Sequence, residues 1–152
     1  MILSQILQPS CIKAPLKGRD TKAVITELVD LLAQSEQLIN RDIVLESVLI
    51  REKTRSTGIG SGIAIPHGKC NGVKELVMAI GIAPQPIDFK SIDNKGVSII
   101  ILLASPIDQT GPHIQALARI SRIMLDESFR LKLKNAASPQ EVFEMINSKD
   151  SQ

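Results

Sequence analysis

The chain has 152 residues, 43% of them hydrophobic and only 2% aromatic, with no Trp and no Tyr. That length fits one domain, and its core must be aliphatic, which excludes a disordered chain and argues against single-strand nucleic-acid binding on stacked aromatics. The formal net charge of +2 is too small for a phosphate-backbone footprint, so no nucleic-acid partner is expected.

Asp20 can cap a helix over 21–33, in which Val24, Ile25, Leu28 and Leu32 share one face. Asn40 can cap a second helix over 41–52, with Val44, Val48 and Arg51 along one side. The glycine-rich run TRSTGIGSGIAIPHG follows. It cannot be a long helix, and 62–65 is expected as a short strand inside it. Residues 76–83 read as a strand that Pro84 and Pro86 stop. Residues 97–104 form a strongly apolar, largely β-branched run containing only Ser98 as a polar residue, suited to a strand covered on both faces. Pro112 is placed as a first helical residue, and the spacing of Ile114, Leu117, Ala118, Met124 and Leu125 carries that helix to about 125. Asp126 can cap a short helix to 134. Ser138-Pro139-Gln140-Glu141 has capping-box spacing and opens the last helix.

Helices interleaved with apolar strands predict an α/β fold, a sheet with helices on both faces. Residues 1–148 are expected to form one domain and 149–152 a polar tail. The N-terminal MILSQILQPSC lacks a basic n-region, and the apolar run at 97–104 is far shorter than the ~20 residues of a membrane helix. The reading is a cytoplasmic protein with no membrane insertion. Cys11 and Cys70 form no CxxC motif and are expected to be free and buried.

Gly58, Gly60 and Gly62 alternate just before His67 and Gly68. Closely spaced glycines let backbone N–H groups converge on an anion, although a purely structural turn uses the same residues. A dinucleotide fingerprint fails because the preceding segment is helical and Ile63 stands three after Gly60. A phosphate-binding Walker loop fails because Ile63 replaces its first glycine and Cys70 its Ser or Thr. There is no GxSxG nucleophile elbow and no zinc-finger spacing, so no metal and no cofactor is expected.

His67 follows Pro66 among small residues, where a partner can approach closely. His113, the only other histidine, falls in the first turn of a predicted helix. That end favours anions and neutral imidazole, though a capping or solvent-facing histidine fits there too. Arg51 lies where its helix pattern calls for an apolar residue; it is either an oxyanion-binding fork near the glycines or a solvated or ion-paired side chain.

The run REKTRSTGIGSGIAIPHGK, residues 51–69, resembles the signature of the fructose/mannitol class of enzyme IIA domains of the phosphoenolpyruvate-dependent phosphotransferase system. The resemblance extends through PIDFKSIDNKGVSIIILLASPIDQTGPHIQALARI, residues 86–120, and is nearest the nitrogen-regulatory IIA proteins. It implies a mixed β-sheet sandwiched between helices, as in the mannitol-type IIA fold. By the same resemblance, His67 matches the phosphorylated histidine. Arg51 matches the arginine that binds the phosphoryl group, and His113 the supporting second histidine. Arg51, Gly58, Gly60, Gly62 and His113 would then hold the phosphate. Ser61 stands where many members carry Asn, and Gly111-Pro112 precedes His113 where polar residues are usual.

The implied activity is a phosphohistidine carrier. Its donor is an HPr-type phosphocarrier, and its recipient is either a regulated target protein or a IIB domain in fructose- or mannitol-type sugar uptake. A third reading keeps the site only as a docking module without phosphorylation. Oligomeric state is not legible, since no interface stripe stands out.

Overall fold

Strand β6 (Val97–Ser105) sets the architecture, because all nine of its residues are buried. In a pleated strand alternate side chains face opposite sides, so a strand buried throughout needs cover on both faces. Ile100, Leu102 and Ala104 join one apolar cluster, and Ile99, Ile101 and Leu103 join another. The computed structural model describes residues 2–152.

The first cluster is covered by α1 (Thr21–Gln34) and α2 (Arg41–Thr54) through Val24, Ile25, Leu28, Val44 and Val48. The second is covered by α3 (Thr110–Ile123), α4 (Glu127–Lys134) and α5 (Pro139–Asp150), together with Leu3 and Leu7 from the N-terminal segment. The helices start where local chemistry predicts. Asp20, Asn40, Asp126 and Ser138 each accept a hydrogen bond from the backbone N–H three residues on, satisfying donors left open at a helix start.

The sheet is mixed and has six strands. β5 (Val77–Ile87) pairs antiparallel with β6, and β1 (Ile12–Lys13) runs parallel to β5. On the other side of β6 lie β3 (Ile63–Ala64) and β4 (His67–Lys69), both parallel to it; β2 (Gly58–Gly60) pairs antiparallel with β3. An α/β fold with a mixed sheet between helical layers is therefore present.

Three boundaries differ from the sequence expectation. β5 continues through Pro84 and Pro86 to Ile87. Its register skips between the pairs Ile82–Ile99 and Ile87–Val97, so the prolines sit in an irregular, exposed stretch where no ladder N–H is demanded of them. α3 begins at Thr110, which makes Pro112 its third residue; the first four N–H groups of a helix have no intrahelical partner, so proline costs little there. α5 runs to Asp150, inside the expected tail. Asp150 is buried, accepts from Leu3 N at 2.7 Å and from Arg119 Nε at 2.5 Å, and so joins the chain's two ends and α3. Cys11 and Cys70 are free and buried.

Candidate phosphoryl-transfer site

β3 and β4 behave as one strand alongside β6, interrupted at Ile65-Pro66. Pro66 O accepts from Leu103 N at 3.0 Å, so the interruption stays tied to β6. The register pairs His67 with Leu103 and Lys69 with Ser105. Paired residues, and residues two apart, share a face. His67, Lys69 and Ser105 therefore emerge on the face carrying Leu103, toward α3. Gly68 faces the other way, against α2: a Cβ there would lie 2.5 Å from Ser47 Oγ and 3.2 Å from the Ser47 carbonyl carbon. Glycine at 68 thus sets how closely α2, which carries Arg51, approaches the strand that carries His67.

His67 is half-buried, and its Nδ1 lies 2.6 Å from the Ile65 carbonyl oxygen. A carbonyl only accepts, so Nδ1 carries the proton. The lone pair of the neutral ring is then on Nε2. Ile65 is itself held in place. Its N–H donates to Thr57 O at 3.1 Å, and Thr57 donates through N (2.9 Å) and Oγ1 (2.5 Å) to the Glu52 carboxylate on α2. Glu52, Thr57 and Ile65 thus form a chain from helix to histidine that the sequence reading missed. Glu52 adjoins Arg51 in the REK element, the one sequence signal that could have drawn attention to it.

The His113 ring lies 5.3 Å from that of His67, centroid to centroid, tilted by 59°. It is buried, and its Nδ1 meets Ser105 Oγ at 2.6 Å. Burial first, and then the charges at His67 and Lys69, push the His113 imidazole down to about 4. It is neutral at neutral pH. His67 is also lowered, chiefly by burial; Arg51 and Lys69 push the same way, while the Ile65 hydrogen bond and Glu52 oppose them. A half-buried neutral ring near two cations suits an incoming anion.

Arg51 lies in the last turn of α2, close enough to act electrostatically on His67. Its Nη1 donates to Arg55 O at 2.8 Å, which steadies the guanidinium at the helix end. Lys69 Nζ donates to Thr110 Oγ1 at 3.3 Å, bridging β4 to the start of α3. The sequence reading passed over Lys69, although it stands two residues after His67, where a strand returns side chains to the same face.

His67, His113 and Arg51 are brought together. The glycines fall elsewhere. Gly60, Ser61 and Gly62 take φ of +94°, +59° and +81°, forming the turn of the β2–β3 hairpin. Gly58 N donates to Ser56 Oγ, and Ser61 N donates to Asp93 Oδ2 at 3.1 Å. Asp93 is held below its ordinary value by the Lys95 and Ser61 N–H groups. The glycines thus shape a hairpin packed beside residues 91–96. Among the described residues, the one turn N–H that meets an anionic group is that of Ser61, on the Asp93 carboxylate. Among the described residues no group of three or more His, Cys, Asp or Glu side chains is placed to hold a metal ion, and no helix is long and apolar enough to cross a membrane.

The family described as "Phosphoenolpyruvate-dependent sugar phosphotransferase system, EIIA 2" matches residues 5–149. The chain belongs to this family. Among EIIA 2 relatives, the nitrogen regulatory protein of Klebsiella oxytoca is 35% identical, with 98% of this chain and 92% of that protein covered. The crystal structure of nitrogen regulatory protein IIA-Ntr from Neisseria meningitidis superposes with a TM-score of 0.87 at 33% identity, covering 95% of this chain and 98% of that one. The fructose-specific EIIABC component of Bacillus subtilis is 31% identical over 99% of this chain, which spans 24% of that longer protein. As an EIIA 2 protein, the chain carries the phosphoryl-transfer role of that system.

Proposed function

We propose that His67 is the phosphoryl acceptor and that Nε2 is the atom that takes it. The hydrogen bond from Nδ1 to the Ile65 carbonyl carries this reading, because it commits the ring to one tautomer with its lone pair on Nε2. The Nε2–P bond forms as the P–N bond to the donor histidine breaks, and that electron pair returns to the donor ring. Nδ1 keeps its proton on the Ile65 carbonyl, which stabilises the positive charge developing on the His67 imidazole.

Phosphoryl transfer of this kind needs alignment and charge stabilisation more than covalent help. Arg51 supplies a planar fork for the equatorial oxygens, Lys69 a second cation, and neutral His113 a hydrogen-bond donor that does not compete as an acid. The donor is an HPr-type phosphocarrier, and the exchange takes place in the cytoplasm without metal or nucleotide at this site.

The 35% and 33% identities to nitrogen regulatory proteins support a regulatory carrier that reports phosphorylation state to a target protein. The 31% identity to the fructose-specific EIIABC component supports the second reading, onward transfer to a IIB domain. Incubation with labelled phosphoenolpyruvate, enzyme I and HPr tests the shared step. One label per chain, acid-labile and base-stable as a phosphohistidine, is expected. No label would leave a docking module and overturn the carrier reading. Adding a fructose-type IIB domain then separates the branches: label retained on this chain supports the regulatory one, and label passed on supports the sugar-specific one.

A further inference from the structure

Ser105 is a polar side chain with no exposed surface at the end of the all-buried strand β6. Among the described residues its hydroxyl has one hydrogen-bond partner, Nδ1 of His113 at 2.6 Å. A serine hydroxyl both donates and accepts, so this contact alone permits two arrangements. Burial decides between them. If Nδ1 carried the ring proton, it would donate to Oγ, and the serine hydrogen would be left in the interior without an acceptor. If Nδ1 is bare, the serine donates to it and nothing is left unpaired.

Resting on the relay reading of His67, we propose that Ser105 is a positioning residue: it fixes the His113 proton on Nε2 and so makes that ring a standing hydrogen-bond donor beside the acceptor histidine. The two imidazoles then have opposite tautomers for opposite tasks. The Ile65 carbonyl holds the His67 proton on Nδ1 and frees a lone pair; the Ser105 hydroxyl holds the His113 proton on Nε2 and frees a donor. The rings lie 5.3 Å apart, close enough for oxygens of a phosphoryl group on one to meet the donor of the other. Sheet register ties the two histidines to a common reference. Ser105 pairs with Lys69 and Leu103 with His67, so the hydroxyl that meets His113 and the strand that carries His67 are both referred to β6.

The test reads tautomers directly. Long-range nitrogen–proton NMR spectra of the imidazoles, recorded on the unphosphorylated protein, should show His113 as the Nε2–H form. An Nδ1–H form in the wild type would overturn the proposal whether or not any variant folds. In Ser105→Ala the Nδ1 resonance should move as its hydrogen bond is lost. The transfer rate at saturating phosphorylated HPr should fall about tenfold, as expected for one weakened transition-state contact. The donor concentration at half-saturation should stay unchanged, since Ser105 is buried away from any partner. Ser105→Thr, which keeps the hydroxyl, should restore both spectrum and rate. Wild-type transfer in the alanine variant would equally overturn the role. A wild-type protein that accepts no phosphate at all fails the relay reading instead, and the tautomer spectrum still judges Ser105 separately.

Discussion

His67→Ala loses phosphoryl acceptance from an HPr-type donor by at least about three orders of magnitude, the scale seen when a nucleophile is removed from a working site. No other side chain nearby can stand in for it. His113 is buried, and its Nδ1 is occupied by Ser105. Lys69 is exposed, and its Nζ donates to Thr110 Oγ1 at 3.3 Å. Cys70 points into the interior and is buried. The fold should survive, because the variant forfeits one hydrogen bond at a sheet edge, about 1 kcal/mol. Measured side by side, label incorporation should vanish while the circular dichroism spectrum and a cooperative urea transition remain. Incorporation at more than a few per cent of the wild-type rate, in a folded variant, would remove His67 from the mechanism.

Asp150→Ala should destabilise the protein by about 3 kcal/mol, the range for breaking a buried ion pair by removing one partner. Asp150 receives Leu3 N at 2.7 Å and Arg119 Nε at 2.5 Å, and its own carbonyl accepts from Arg119 Nη2 at 3.3 Å. Removing the carboxylate leaves a buried N–H without an acceptor and a guanidinium only 24% exposed without its counterion. The loss spreads through three elements, because the N-terminal segment, α3 and α5 meet at this one group. Urea unfolding gives the measurement directly. A shift worth under 1 kcal/mol would mean that solvent screens the pair as it does surface ion pairs.

Asp150 also illustrates where sequence reading fails. A polar residue three from the C-terminus looks like a tail, and only its partners 31 and 147 residues away make it structural. The same division runs through the fold. Helix starts at Asp20, Asn40, Asp126 and Ser138 were legible because a cap and its N–H partner lie three residues apart. The run at 97–104 was legible because burial on both faces leaves an apolar signal broken only by Ser98. Strands β1, β2 and β4 are two or three residues long, too short for periodicity to register. The prolines of β5 mislead because the register skip that tolerates them belongs to the pairing with β6.

The candidate site divides similarly. His67 and Arg51 sit in one local run whose pattern is informative, and His113 is marked by its place at a helix start. The glycines mark the β2–β3 turn. Their spacing does report unusual backbone, but that the Ser61 N–H between them meets the Asp93 carboxylate is decided 32 residues downstream. Ser105 was silent because it acts through one buried contact, with His113, and Glu52 because its two bonds to Thr57 form only where the chain leaves α2.

If the Ile65 carbonyl holds the His67 proton on Nδ1, Nε2 is the reacting atom. Phosphorus–nitrogen correlation NMR on the uniformly nitrogen-15-labelled protein, phosphorylated by enzyme I and HPr, reads it most directly. A single phosphorus resonance coupled to Nε2 of His67, with Nδ1 still protonated, is the predicted result. Coupling to Nδ1, or to any nitrogen of His113, would contradict it.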